Sequence, residues 1–198
     1  MLQKLIYAIA VTAMTAYQAT YLIVDIGLSM TQTSLIAAVE AAIYAIALAL
    51  FGKLGERIPL SRVYAIGMLL MTFAAFSSIF LSPTSFLLPY VLFALFYKCG
   101  YAAFMVGFFV VYRVIPESHY TSSGAIINIP QCLLVFLTTL ALSPLFHYLK
   151  YDLDSTLFGH TFYAQQTFSV IATVLYGIAV AYFFLVVKKR LKKHGNNL

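Results

Sequence analysis

Two ionisable side chains of opposite sign, Glu40 and Lys98, stand inside long apolar stretches of the sequence. A charge at the centre of a bilayer costs about 2.5–3.5 kcal/mol on insertion scales, so it persists mainly where it faces a cavity or a partner. At 1.5 Å per helical residue, Lys98 would lie roughly 16 Å from one end of its stretch and Glu40 roughly 10 Å down its own. At those depths a lysine can reach the carboxylate if the two helices adjoin. Two chemistries are then open. The pair can neutralise two buried charges, or Lys98 can bind an anionic or polar solute and change partners as a proton moves. A second constellation lies upstream, where Thr12, Thr15 and Gln18 recur every three residues with Tyr17 and Tyr21 beside them. Hydroxyls, an amide and phenols on one helix can hydrogen-bond a hydroxylated solute while their apolar parts face its ring. The same groups can equally hold neighbouring helices together. Asp25 closes this stretch and reads as a solvated end.

The elements that must hold these groups follow from composition. The chain has 198 residues, of which 63% are hydrophobic and 9% charged. Six apolar runs, at about 5–26, 33–51, 63–81, 87–112, 124–146 and 162–187, approach or exceed the roughly 20 residues a membrane helix needs. Period-two alternation is missing, which argues against a barrel, and helices are the remaining way to satisfy a backbone in lipid. The expected fold is therefore an all-α integral membrane bundle of six helices. With the amino terminus cytoplasmic, Lys4, Lys53, Arg57, Arg62, Arg113 and the tail residues Lys188, Lys189, Arg190, Lys192 and Lys193 fall inside, and Lys150 alone falls outside. This positive-inside bias predicts that both termini are cytoplasmic and that the chain sits in the cell membrane. The net charge of +6 thus reports orientation in a lipid bilayer and no affinity for nucleic acid.

Other chemistries find little support. Lys4, a short apolar core and "TAMTA" faintly resemble a secretory signal, but the run continues through "YLIVDI" and predicts a retained span. Cys99 and Cys132 fall in spans and read as buried, inert thiols. His147, Asp152, Asp154 and His160 are irregularly spaced on a connecting loop, so solvation is expected there and no metal or cofactor. "SSGAIINIP" lacks a Gly-x-Ser-Gly element and no histidine lies within an expected span, which argues against an intramembrane enzyme. No phosphate-binding loop points to nucleotide-driven work.

Ala37, Ala41, Ala45 and Ala49 repeat every four residues on the second span and predict a close helix contact. Pro130 and Pro144 predict bends in the fifth. Between the second and third spans, "GKLGERIPLSR", Gly52 to Arg62, resembles the loop signature of major facilitator superfamily transporters. Gly52, Leu54, Gly55 and Arg57 match directly and Glu56 takes an aspartate position, while Pro59 and Leu60 depart from the pattern. "DIGLSMTQTSL" and "RVIPESHYTSSGAI" are similar to that family's flanking segments, so the resemblance covers essentially the whole chain. It implies a 3+3 helical repeat, a secondary transporter of a small polar solute working by alternating access, and a cavity-facing Lys98. It also implies a latch in which Gly52 and Gly55 let helix ends approach while Glu56 pairs with Arg113. Members of that family have two six-helix halves. This chain therefore resembles one half, more like the carboxy-terminal one, and needs a second unit as a homodimer or companion chain. A non-transporting subunit or an inactive truncated carrier is the alternative.

Overall fold

The computed structural model describes residues 2–113, 120–152, 156–157, 160–161 and 163–188, with side chains described for 3–108, 128–150 and 163–188. The fold is all-helical, and six helices are long and apolar enough to cross a membrane. They are α1 (Gln3–Asp25), α2 (Met30–Arg57), α3 (Leu60–Ser78), α4 (Leu87–Arg113), α5 (Tyr120–His147) and α6 (Ala164–Tyr182). Wider π-type turns extend α5 through Tyr148–Asp152 and α6 through Phe183–Val187. Between α5 and α6, Thr156–Leu157 pairs with His160–Thr161 in a short antiparallel ladder.

Consecutive helices run in opposite directions, and side chains lock both ends of the bundle. At the end remote from the amino terminus, the Tyr21 hydroxyl donates to the Leu81 carbonyl at 2.8 Å. Gln166 Nε2 donates to the same carbonyl at 2.7 Å. At the opposite end Lys4 Nζ donates to Asn128 Oδ1 at 3.0 Å and lies 4.4 Å from the centre of the Phe108 ring. α1, α3, α4 and α6 supply most of the core, where Met14, Tyr21, Met68, Met71, Phe93, Phe168 and Tyr176 are almost fully enclosed. α1 packs against α6 and α5, α4 packs against α3 and α2, and α3 packs against α6. α2 and α5 are peripheral, with only 11% and 6% of their spans buried.

Two sequence expectations need correction. The charged segment expected as a loop at 52–62 is helical through Arg57, so Gly52, Gly55, Glu56 and Arg57 form the last turns of α2. Only Ile58 and Pro59 interrupt the path to α3. Pro59 disfavours helix in the residue before it, and Ile58 is accordingly extended, at φ −124° and ψ 155°. α2 also starts earlier than expected because Ser29 and Gln32 form a reciprocal cap, with Ser29 N–H on Gln32 Oε1 at 2.8 Å and Gln32 N–H on Ser29 Oγ at 3.2 Å.

The second correction concerns close packing. Ala37, Ala41, Ala45 and Ala49 are all exposed, so their stripe is not buried against another helix among the described residues. The tightest backbone approach joins α3 to α4 through three glycines. A Cβ added to Gly67 would stand 2.5 Å from Phe104 N, one on Gly107 2.6 Å from Tyr64 Cα, and one on Gly100 2.9 Å from Met71 N. Small residues perform the expected task, but on a different helix pair.

α1 carries a break that matters for the site. Tyr17 leaves helical geometry at φ −115° and ψ 9°. The chain bonds Ala16 N–H to the Thr12 carbonyl and Tyr21 N–H to the Tyr17 carbonyl, whereas Tyr17 N–H does not reach Ala13. Among the described residues, the Ala16 carbonyl accepts no backbone N–H. Nearby, Gln165 Nε2 donates to the Met14 carbonyl at 2.6 Å. α1 then finishes in a π-type turn, Tyr21–Asp25.

Candidate functional site

The face of α2 that meets α4 carries Glu40 between Ile36 and Ala47, and this places the carboxylate opposite the middle of α4. Lys98 Nζ lies 2.9 Å from Glu40 Oε2, with 23% and 12% of the two side chains exposed. Tyr90, two turns from Lys98 on α4, donates its hydroxyl to Glu40 Oε1 at 2.6 Å. Both carboxylate oxygens therefore have charged or phenolic donors. Gln18 of α1 lines the same space as this phenol. The Lys98 ammonium also lies 5.1 Å from the centre of the Tyr97 ring, a cation–π contact that helps keep it out of lipid. Three helices thus converge on one polar cluster at membrane depth. A cavity of about 200 Å³ opens beside it, bounded by Thr15, Gln18, Thr33, Glu40 and Tyr90.

A second cavity, of about 300 Å³, lies on the other flank of α1, between α1, α4 and α5. Its polar lining comes from Tyr7, Thr12, Thr15, Tyr101, Gln131 and Thr139, and the α1 break at Ala16 forms part of its wall. Thr15 borders both cavities. The two spaces therefore meet across a single side chain of α1, between the peripheral helices α2 and α5.

The structure gathers Lys98, Glu40, Gln18 and Thr15 into one region. Tyr21 is elsewhere in function: it is 1% exposed, and its hydroxyl is engaged by Leu81 in the core. Tyr17 stacks on Phe146 with ring centres 4.2 Å apart, joining α1 to α5. Of the two glycines at the tip of α2, only Gly55 is closely approached, since an added Cβ would stand 2.9 Å from Leu60 Cδ2 and 3.3 Å from Val106 Cγ1. Gly52 meets nothing within 4 Å. Glu56 and Arg57 are exposed at the same tip. Arg113 ends α4, but its side chain lies outside the described residues, as does any contact between it and Glu56.

Several polar groups escaped the sequence reading. Tyr90 had a usable signal, because a residue eight before Lys98 shares its helix face. Gln131 and the Ala16 carbonyl had none, since an amide in an apolar run and a helix break without proline are set by tertiary packing. Asp25, expected as solvated, instead pairs with Lys150 at 3.3 Å and ties the end of α1 to the end of α5. Cys132 is exposed on α5 and only Cys99 is partly covered, so the expectation of two buried thiols holds for neither in full. His147 closes α5 and lies inside the fifth candidate span. Among the described residues no group of three or more His, Cys, Asp or Glu side chains could hold a metal ion. No family model matches the chain, and neither the curated proteins nor the solved structures contain a match.

Proposed function

We propose that this chain is one six-helix half of a secondary carrier of the major facilitator kind. It works with a second six-helix unit and moves a small polar organic solute across the cell membrane by alternating access. The observation that carries this reading is the Lys98–Glu40–Tyr90 cluster, held at membrane depth beside a cavity on the least covered side of the bundle. A charge pair that served folding alone would be better placed between the tightly packed helices α3, α4 and α6. Here it borders open space, where an ammonium and a carboxylate can exchange partners as an ion or solute arrives.

The packing pattern supports the same reading. Advancing each helix by three places turns the α1–α6 contact into α4–α3 and the α1–α5 contact into α4–α2, and it leaves α3–α6 as itself. A chain built from two related triplets packs in this way. In such an arrangement α1 and α4 stand between α2 and α5, and a second unit placed against that side would enclose the two cavities.

The competing reading is a membrane subunit that moves nothing, and the short Lys98–Glu40 contact favours it to the extent that the pair is already satisfied. Counterflow in proteoliposomes separates the two. The protein is reconstituted with a panel of labelled neutral, acidic and basic small solutes, together with Lys98→Met and Glu40→Gln. The carrier reading expects saturable exchange of one class, lost in both variants. Absence of exchange for every class, by protein whose helical content and monodispersity are intact, would remove it.

A further inference from the structure

The cavity between α1, α4 and α5 has a chemistry of its own, distinct from that of the ion pair. Thr12, Thr15 and Thr139 commit their hydroxyl hydrogens to carbonyls of their own helices, Ala8, Val11 and Val135, at 2.8, 2.9 and 2.9 Å. Each hydroxyl oxygen therefore faces its surroundings only as an acceptor. The α1 break borders the same wall: Ala16 lines the cavity, and its carbonyl has lost its helical N–H. Irregular backbone at membrane depth is tolerated where it is covered by protein or lines a cavity, and this break lines one. Gln131, Tyr101 and Tyr7 supply the mixed donor and acceptor groups, and the buried Tyr7 hydroxyl has no hydrogen-bond partner within the described residues. The rest of the wall is apolar, from Ala8, Val11 and Val135, and none of the lining residues is charged.

We propose that this cavity binds an uncharged organic solute rich in hydroxyl donors, of the size of a monosaccharide or cyclic polyol, and that Glu40 and Lys98 do not contact it directly. The proposal deepens the carrier reading and rests on it only for the word transport; the binding site stands on the lining alone. Donors on the solute meet the threonine oxygens and the Ala16 carbonyl, while its C–H faces lie against the valines and Tyr101. A carboxylate or phosphate would face three acceptor-only oxygens with no cation, and an ammonium would find no carboxylate. A bare alkali cation suits carbonyl and hydroxyl oxygens, but a space of about 300 Å³ with apolar walls is too large for it. That volume is at the small end of the roughly 300–1,000 Å³ of organic ligand sites, which suits a small solute. Thr15 borders the ion-pair cavity as well, so a solute held there would be felt at Gln18 and Tyr90, which line that cavity with it.

The test uses the full chain in liposomes, with Cys99→Ala and Cys132→Ala removing the native thiols and Val135→Cys placing a single thiol in the cavity wall. Its alkylation by N-ethylmaleimide is followed by mass in the presence of D-glucose, myo-inositol, gluconate, glucosamine or sodium chloride alone. Glucose or inositol is expected to slow alkylation, and gluconate, glucosamine and sodium are not. Thr15→Val and Thr139→Val, which keep shape and remove one acceptor each, should weaken the protection about tenfold apiece, the loss expected for one hydrogen bond. Protection by a charged analogue or by sodium alone, or none by any neutral polyol, overturns the proposal. If polyols protect but counterflow is absent, the site stands and the carrier reading fails. If counterflow occurs only with a charged solute, the carrier reading stands and this site assignment fails.

Discussion

At the scale of single residues, an ammonium and a carboxylate inside an apolar bundle are tolerable only while they face one another. Glu40 has two partners, Lys98 and Tyr90, whereas Lys98 has the carboxylate and the weaker contact with the Tyr97 ring. The two single losses are therefore unequal. Glu40→Ala leaves an ammonium with only a ring face, and breaking a buried pair in this way costs about 3–5 kcal/mol. Lys98→Met leaves a carboxylate that still holds the Tyr90 hydroxyl and can take up a proton, so it should cost less. The double variant should recover much of the loss. Thermal unfolding in detergent, followed by the monodisperse fraction, checks the order: wild type and double variant highest, then Lys98→Met, then Glu40→Ala. Equal stability in all four would show that the pair bears no structural weight. The pair itself was legible in the sequence, because two charges at matching depth in apolar runs leave few alternatives. Tyr90 shares the helix face of Lys98, but that signal is weak on its own, since a phenol in a membrane helix is common and its role exists only once α2 lies against α4.

At the scale of elements, the six helices were legible from the lengths of the apolar runs, and so was the break before α3, because Pro59 forces it. Which pairs pack closely was not. The alanine repeat on α2 has the spacing of a contact stripe, yet its residues are exposed, and spacing carries no address. The close pair is α3 and α4, where Gly100 and Gly107 stand seven residues apart, Gly100 facing Gly67 and Gly107 facing Tyr64, a pattern without the familiar four-residue period. Gly107→Leu tests the assignment. Its first carbon alone would meet Tyr64 backbone at 2.6 Å, and backbone cannot step aside as a flexible side chain can. Overpacking of this kind costs typically 1–3 kcal/mol, or more where backbone must move, so a clear loss of melting temperature is expected. Gly52→Leu, with nothing within 4 Å, should change little and serves as the control. The reverse result would place the close contact at the tip of α2, where the sequence first suggested it.

At the scale of the whole molecule, the uneven distribution of packing is the informative property. α3 and α6 lie together on one side, while α2 and α5 are almost uncovered and α1 and α4 offer the polar cavities between them. Lipid can cover the apolar flanks of α2 and α5, but Glu40, Lys98, Gln131 and the Ala16 carbonyl are poor neighbours for acyl chains. A second six-helix unit would cover them, and the exposed alanines of α2 would let it come close. α1 begins and α6 ends at the same end of the bundle, which also gathers Lys4, Lys53, Arg57, Arg62 and Lys188. The positive-inside bias is the ground for proposing that this end faces the cytoplasm, in which case two units could be joined head to tail without an added span. Two measurements follow. Reporters fused to the two termini should both report the cytoplasmic side. In nanodiscs, the chain should carry the mass of two six-helix units, and a tandem fusion of two copies should exchange solute as the separate chains do. A strict monomer that performs counterflow would show that one six-helix unit suffices, and termini on opposite sides would remove one span from the fold.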